Sequence, residues 1–438
     1  MKKLAELFYP AAPPTGRQQR ASQRILLVQG ALASVLFALG TGNFLAGYLT
    51  TLGATPAQIA QITAIPQLGC VLQLAAPLFF ERRAYRKLSI VSMCFIFRFS
   101  VGFTVFAPFL FTARNSRLRF VFALYFVSFL VAGFVTPALN QWVMQIAPQK
   151  GRGRYFALKD ILSVTANALV AFLMGRQLDA QTAKGTPLTG YLVIYGFCIA
   201  AALVDLLLMS LMREPKSPAM PNIRPADLLA PVQDRRFRPL LVFDLLGYSA
   251  SMFSSGFSSV YQLEVLHLSH TFITSVGMVS AVVGMASIWL WGKVADRTYW
   301  TSVILCTRGI NALCFFGWWL LPVGAAPALA PVIMALTAAG GSAAGMAGVN
   351  LQYASCPPAG KTTYLGVTAA LASLVGYGAV LLGSGLQQRL APALGGRSMA
   401  LLFGVSGALS LATLLYGAAR LPRAPILYEE AKEDETQH

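Results

Sequence analysis

Two short charged segments of this sequence share one pattern: residues 77–87 read PLFFERRAYRK, and residues 292–300 read GKVADRTYW. Each follows an apolar stretch and places a carboxylate, Glu81 or Asp296, four positions after a Pro or Gly, with an arginine directly behind it. Two such segments about 210 residues apart in one chain indicate an internal duplication.

The composition between these segments is that of a membrane protein. Of the 438 residues, 56% are hydrophobic and 11% are charged, whereas soluble domains carry about 25% charged residues. A helix needs about 20 apolar residues to cross a bilayer. The sequence therefore predicts an all-α membrane protein with about twelve spans: 25–48, 57–80, 88–111, 119–146, 156–178, 189–212, 239–263, 270–292, 301–322, 327–353, 363–386 and 397–419.

The repeat extends beyond the charged segments. Residues 148–155 (PQKGRGRY) open span 5, and residues 357–364 (PPAGKTTY) open span 11 at nearly the same offset. An ordinary turn and helix start is the alternative interpretation of this match. A further match joins Phe44, Tyr48 and the N-cap candidate Thr55 to Phe257, Tyr261 and the N-cap candidate Ser269.

The basic residues indicate the orientation. The net charge of +18 comes from short loops between spans and not from one amphipathic face, which argues against a nucleic-acid partner. With both termini in the cytoplasm, the cytoplasmic segments hold roughly 25 Lys and Arg residues and the external loops roughly seven. The expected organisation is a cytoplasmic arm (1–24), a first bundle (25–212), a linker (213–238), a second bundle (239–420) and an acidic tail (421–438).

The charged segments resemble the signature loop of the major facilitator superfamily, which lies after helices 2 and 8. The resemblance implies two pseudo-symmetric six-helix bundles and an alternating-access carrier. Pro77 and Glu81 replace the Gly and Asp of that signature, and the second loop lacks its trailing basic pair. By this resemblance the following residues form a latch on the cytoplasmic side: Glu81, Arg82, Arg86, Lys87, Asp296 and Arg297. The alternatives are topology signals and, for Arg86 and Lys87, an anchor to anionic lipid.

Ionisable residues inside spans are costly and are usually paired or functional. Arg98 lies about 15 Å into span 3 at 1.5 Å per residue, and a structural ion pair with Asp205 of span 6 is favoured over a proton or substrate role. Asp244 near the start of span 7 is the candidate for proton coupling, because the family's helices 1, 4, 7 and 10 line the central cavity. Pairing with Arg308 is the alternative for Asp244.

Polar residues of those four spans are the substrate-cavity candidates. Amides and phenols with few charges suit a neutral or zwitterionic solute, and helix–helix contacts are the alternative. The candidates are Asn43, Tyr48, Asn140, Gln141, Trp142, Tyr248, Tyr261, Gln262, Asn350 and Tyr353.

The predicted function is transport of a small organic solute, facilitative or proton-coupled, across the bacterial inner membrane by a monomer that contacts membrane lipids. A transporter-like sensor that binds without flux is the alternative. The sequence contains no nucleotide-binding loop and no catalytic cluster, and its six cysteines lack metal-ligand spacing. We therefore expect no enzyme activity, no cofactor and no metal.

Overall fold

A computed structural model of the protein describes Phe8 and residues 15–80, 85–148, 152–214, 230–356 and 361–421. These residues form helices and turns, with no strand among them. In chain order the helices are α1 (Gly16–Leu39), α2 (Gly42–Thr51), α3 (Pro56–Thr63), α4 (Ile65–Val71), α5 (Ala76–Phe80), α6 (Lys87–Phe103), α7 (Ala107–Leu110), α8 (Arg114–Ile146), α9 (Arg152–Ala183), α10 (Pro187–Leu211), α11 (Ala230–Gln233), α12 (Arg238–Ser255), α13 (Ser258–Val260), α14 (His270–Arg297), α15 (Trp300–Leu320), α16 (Ala326–Ala354), α17 (Lys361–Leu394) and α18 (Arg397–Arg420).

Eleven helical stretches in the described part of the chain are long and apolar enough to cross a membrane. They correspond to eleven of the predicted spans. The remaining span, 57–80, consists of α3, α4, a 3-10 turn at Leu72–Leu74 and α5. Pro66 stands in the first turn of α4 and has no N–H to donate, so this span is helical but interrupted.

Two spans that the sequence predicts as continuous are broken at related places. Span 1 breaks between α1 and α2, where Gly42 adopts a φ of 56°, a left-handed conformation that favours glycine. Span 7 breaks at Gly256 and Phe257, between α12 and α13. Of the two phenylalanines matched in the repeat, Phe44 lies just after the first break and Phe257 lies within the second.

The chain forms two compact units. The first comprises residues 1–222 with 269–274, and the second comprises 223–268 with 275–438. The described end of the predicted linker, residues 230–238, belongs to the second unit. Pro231 is buried there, and Phe237 is fully buried in the core of that unit. These last linker residues are therefore folded, which the proline-rich composition did not indicate.

Each unit has a hydrophobic core near the predicted cytoplasmic ends of its helices. Phe80, Trp142 and Met209 belong to the first core, and Phe237 and Tyr364 belong to the second.

Close backbone approach adds to the packing of the first unit. A Cβ atom at Gly69 of α4 would overlap the carbonyl group of Phe129 in α8, and one at Gly133 would overlap that of Gly69. Small residues at such crossings are the usual means of helix association in lipid, where burial of apolar surface provides little driving force.

Both predicted N-caps are confirmed. The Thr55 hydroxyl accepts from the backbone N–H of Gln58 at 3.3 Å, and the Gln58 side chain accepts from the Thr55 N–H at 2.9 Å. The Ser269 hydroxyl accepts from the N–H of Phe272 at 3.1 Å. These contacts satisfy donors that a helix N-terminus otherwise leaves open.

The repeat-matched tyrosines at the starts of spans 5 and 11 have equivalent contacts. Tyr155 donates to the carbonyl oxygen of Gln23 in α1 at 2.7 Å. Tyr364 donates to the carboxylate of Asp234, just before α12, at 3.0 Å. Tyr155 thus joins α9 to α1, and Tyr364 joins α17 to the residues just before α12. An ordinary turn and helix start does not require such a contact between helices.

Candidate functional site

The start of α6 is held by a carboxylate from a distant part of the chain. Glu214, three residues after the end of α10, accepts from the backbone N–H of Arg86 at 2.8 Å and from that of Lys87 at 2.9 Å. Its side chain is buried. A carboxylate in this position satisfies the open donors of the helix and interacts favourably with the helix dipole.

The side chains of Arg86 and Lys87 point into the first unit and not to its surface. Lys87 is fully buried, and its ammonium group donates to the carbonyl oxygen of Ser210 at 2.6 Å. Arg86 is 2% exposed and donates to the side chain of Gln141. Burial raises the pKa of Glu214 above its ordinary value, although the backbone donors and both cations act in the opposite direction.

The remaining latch candidates are less fully placed. Glu81 and Arg82 lie outside the described residues, and so does the side chain of Asp296. Arg297 is exposed in the last turn of α14. Buried Arg86 and Lys87 present no charge at the surface of the protein, where an anionic lipid headgroup would bind.

Arg98 and Asp205 form an ion pair inside the first unit. The two side chains are 7% and 2% exposed. The other oxygen of Asp205 accepts from the amide of Gln29 in α1 at 3.0 Å, and Arg98 also approaches the sulfur of Met209 at 3.7 Å. The structure thus brings the predicted pair together and adds Gln29 to it.

Asp244 has a different arrangement in the second unit. It is 9% exposed, and its carboxylate accepts from the amide of Gln352 in α16 at 2.8 Å. Arg308 of α15 interacts electrostatically with Asp244 but donates to the carbonyl oxygen of Gly247 at 3.3 Å. The ion pairs within 4 Å among the described residues do not include one between Arg308 and Asp244.

Gly247 makes room for Arg308. A Cβ atom at this position would lie 2.5 Å from the Cζ atom of the guanidinium group. The same Cζ atom lies 5.6 Å from the centre of the Phe243 ring, within the range of a cation–π contact. Arg308 is therefore positioned by the ring of Phe243, which directly precedes Asp244, and by the carbonyl oxygen of Gly247, about one helical turn after Asp244.

Arg98 and Arg308 each lie in the third span of their half, 17 residues after Glu81 and 12 residues after Asp296. Arg98 lies in α6 and Arg308 in α15, and in each unit an aspartate accepts a hydrogen bond from a glutamine side chain. The aspartate of the first unit, Asp205, lies in α10, and that of the second unit, Asp244, lies in α12. Each unit thus contains an arginine, an aspartate and a glutamine within its spans; the arginine and the aspartate form an ion pair in the first unit, and among the described residues of the second they do not.

Three of the cavity candidates are buried inside their units. Tyr48 and Tyr261 are buried and donate to backbone carbonyl oxygens of Thr104, at 2.8 Å, and Trp318, at 3.2 Å. Trp142 is 2% exposed in the first core. These three side chains pack between helices of their own units, as in the alternative interpretation of the cavity candidates.

Of the other cavity candidates, two have side-chain contacts within their units and five have exposed or partly exposed side chains. Gln141 contacts Arg86, and Gln262 is 6% exposed with its amide 3.5 Å from the hydroxyl of Ser258. The remaining candidates have partly or fully exposed side chains: Asn43, Asn140, Tyr248, Asn350 and Tyr353. Asn140 and Asn350, which lie eight residues before Pro148 and seven before Pro357 in the repeat, are both exposed.

Comparison with known proteins identifies the family. The sequence matches the Major Facilitator Superfamily over residues 30–384. The chain belongs to this superfamily. No individual curated protein matches it significantly.

Solved structures of superfamily transporters share its fold. An auto-inhibited peptide transporter of the POT family is 12% identical, with a TM-score of 0.71, 93% of this chain covered and 98% of the other. A D-xylose–proton symporter is 14% identical, with a TM-score of 0.69 and coverage of 92% and 97%. The nucleoside transporter NupG is 12% identical, with a TM-score of 0.68 and coverage of 91% and 98%. The superfamily and these neighbours are transporters that cross the membrane several times, which agrees with the predicted class.

Sequence reasoning missed Glu214 and Gln29, and although Gln352 of span 10 was a polar cavity candidate, its contact with Asp244 was not predicted. Glu214 follows span 6 directly after Arg213 and is an acidic residue in a basic segment. Its charge could have indicated a specific partner. Gln29 lies within an apolar span and Gln352 near the end of one, where an amide side chain needs a partner.

Proposed function

We propose that this superfamily member is an alternating-access carrier of a small neutral or zwitterionic organic solute across the bacterial inner membrane. The superfamily match over residues 30–384 carries the proposal. Polar residues with exposed side chains, Asn140, Asn350 and Tyr353, supply hydrogen-bonding groups without a net charge. A charged solute would need a compensating charge among these side chains.

Proton coupling through Asp244 is the finer part of the proposal. The carboxylate is buried and hydrogen-bonded to Gln352, and its nearby cation, Arg308, is engaged by the Gly247 carbonyl oxygen. A carboxylate binds or releases a proton when its access to water or its distance from a cation changes. Rearrangement of α12 against α15 and α16 during transport would change both.

Proteoliposomes test the carrier function. A panel of nucleosides, monosaccharides, dipeptides and neutral amino acids is presented with and without an inward proton gradient. We expect saturable flux of at least one class, and exchange of labelled for unlabelled solute in the absence of a gradient. Saturable binding without any flux would instead support a sensor.

Asp244→Asn tests the coupling separately. The variant should lose accumulation driven by the proton gradient and retain solute exchange, because exchange does not require net proton movement. Asp160→Asn is the matched control, since Asp160 is an exposed carboxylate of α9. Gradient-driven accumulation by Asp244→Asn at the wild-type level would exclude this role and leave the carrier function intact.

The latch is also a proposal, with Glu81 and Asp296 as its carboxylates. Its support in the first unit is that Glu214 fixes the start of α6, directly after the loop that contains Glu81. Glu81→Gln and Asp296→Asn should slow exchange several-fold while leaving solute affinity within about twofold. A change in affinity alone would assign these residues to solute binding.

Location, orientation and oligomeric state complete the proposal. The distribution of basic residues places both termini in the cytoplasm. Reporter fusions at residue 438 and in the loop before α8 should give opposite sides of the membrane. Light scattering of the purified protein should give the mass of one chain, 46.9 kDa, after subtraction of detergent and bound lipid.

A further inference from the structure

The first unit contains an apolar pocket of about 190 Å³ among four of its helices. The end of α1 and the break after it provide Ala33, Phe37 and Thr41. The other walls come from α6, α8 and α10. Their lining residues include Phe97, Arg98, Phe129 and Cys198.

Three aromatic rings shape this pocket. Phe129 lies in edge-to-face contact with Phe97, at 5.2 Å between ring centres, and with Phe37, at 6.4 Å. Phe129 is buried, whereas Phe37 is 54% exposed. Aromatic rings favour such contacts with a further ring, so the pocket suits an aromatic or cycloalkyl group.

The polar groups of the wall select against a charged ligand. Arg98 is already neutralised by Asp205. The hydroxyl of Thr41 donates to the carbonyl oxygen of Phe37 at 2.7 Å and has no further proton to offer. An anion would have to compete with Asp205 for Arg98, and a cation would meet no free carboxylate among the described lining residues.

The volume sets the size of the ligand. An engineered apolar cavity of about 150 Å³ is sufficient to bind benzene. The pocket of about 190 Å³ therefore accepts one six-membered ring with a small substituent.

We propose that this pocket binds an uncharged six-membered ring of the transported solute, which enters beside the exposed side chain of Phe37. The proposal rests on the proposed carrier function, because it takes the first helix to face the path of the solute. It narrows the substrate class to solutes that combine a neutral or zwitterionic polar part with one apolar ring.

The direct test uses 4-fluorobenzyl alcohol as the probe and full-length protein in lipid nanodiscs. Fluorine NMR should show saturable binding above that of empty nanodiscs. Ala33→Leu, which fills the pocket from α1, should weaken binding at least tenfold. Ala200→Leu adds the same group at an exposed position of α10 and should bind as the wild type does.

Cys198→Met fills the pocket from α10 and gives a second variant if Ala33→Leu does not fold. Absence of saturable binding, or equal binding by wild type and a folded pocket-filling variant, would overturn the proposal. Binding by delipidated protein but not in nanodiscs would also overturn it, because a lipid chain would then be the occupant.

Flux measurements separate this proposal from the carrier function. If the protein transports solutes, Ala33→Leu should lower the preference for ring-bearing over ring-free members of the panel at least tenfold, and an unchanged preference would refute the pocket's role. If it transports nothing but binds the probe in an Ala33-dependent manner, the carrier function fails and the ring site remains.

Discussion

Arg98 and Asp205, which are 107 residues apart in the sequence, form an ion pair within the membrane-spanning part of the first unit. Removal of one partner leaves an uncompensated charge, which costs about 3–5 kcal/mol in a buried site. We expect Arg98→Met and Asp205→Leu each to lower the apparent Tm strongly in detergent. The double variant should recover much of the loss, because neither charge remains.

The chain offers a matched control for this experiment. Lys159 and Asp160 lie 3.5 Å apart, with the Asp160 side chain 71% exposed. Such pairs near the surface contribute about 0–1 kcal/mol, so Asp160→Asn should change the Tm little. A double variant at Arg98 and Asp205 that is less stable than either single variant would contradict the interpretation.

The cap formed by Glu214 predicts a pH dependence. Because burial raises the pKa of Glu214 above its ordinary value of 4.5, the folded protein retains this proton at a pH where the unfolded chain releases it. The contribution of Glu214 to the free energy of unfolding is therefore largest below pH 4.5 and decreases as the pH rises through the folded-state pKa. The Tm of the wild type minus that of Glu214→Gln should fall as the pH rises from 4.5 to neutrality.

A pH series of thermal unfolding checks this sign. Asp160→Asn, at an exposed carboxylate, serves as the control and should change the pH profile much less. A difference between wild type and Glu214→Gln that grows with rising pH would mean that the ionised carboxylate is stabilised in the folded state, contrary to the expectation.

Gly247 predicts a steric effect on the group around Asp244. A Cβ atom there would lie 2.5 Å from the guanidinium carbon of Arg308, so Gly247→Ala must displace Arg308. We expect a lower Tm and weaker solute accumulation driven by the proton gradient, because the group around Asp244 is disturbed. Gly277→Ala is the control, because a Cβ atom at Gly277 has nothing within 4 Å, and alanine in a helix is favoured over glycine by roughly 0.5–1 kcal/mol. Equal effects of the two substitutions would argue against steric displacement.

The regular features of the fold were predictable from sequence. Apolar length predicts the crossings, and the matched segments after spans 2 and 8 predict two related halves. The interruption of span 2 was harder to predict from sequence, because proline is common in membrane helices. The position of Pro66 in the first turn of α4 shows where the span is interrupted. The break after α1 depends on the left-handed backbone of Gly42, one glycine among 38 in the chain.

The candidate site was predictable where chemistry alone marks a residue. Arg98, Asp205 and Asp244 stand out because charges are rare in spans. For Tyr48, Tyr261 and Trp142 the residue type alone does not decide the direction of the side chain, since an amphipathic side chain can face either a solute or a neighbouring helix. Glu214 required a contact across 128 residues, which sequence spacing does not reveal.

Tyr155 and Tyr364 provide a test of the repeat as a structural unit. Each donates one hydrogen bond to the start of the first helix of its own unit, Tyr155 to Gln23 and Tyr364 to Asp234. Loss of such a bond costs about 1 kcal/mol, so Tyr155→Phe and Tyr364→Phe should each lower the Tm modestly. Because the two sites lie in different units and share no partner, the losses should add. Tyr299→Phe, at a tyrosine that is 50% exposed, should leave the Tm unchanged. If the double variant loses clearly more Tm than the two single variants together, the two hydrogen bonds are coupled. Independent contacts within each unit would not give that result.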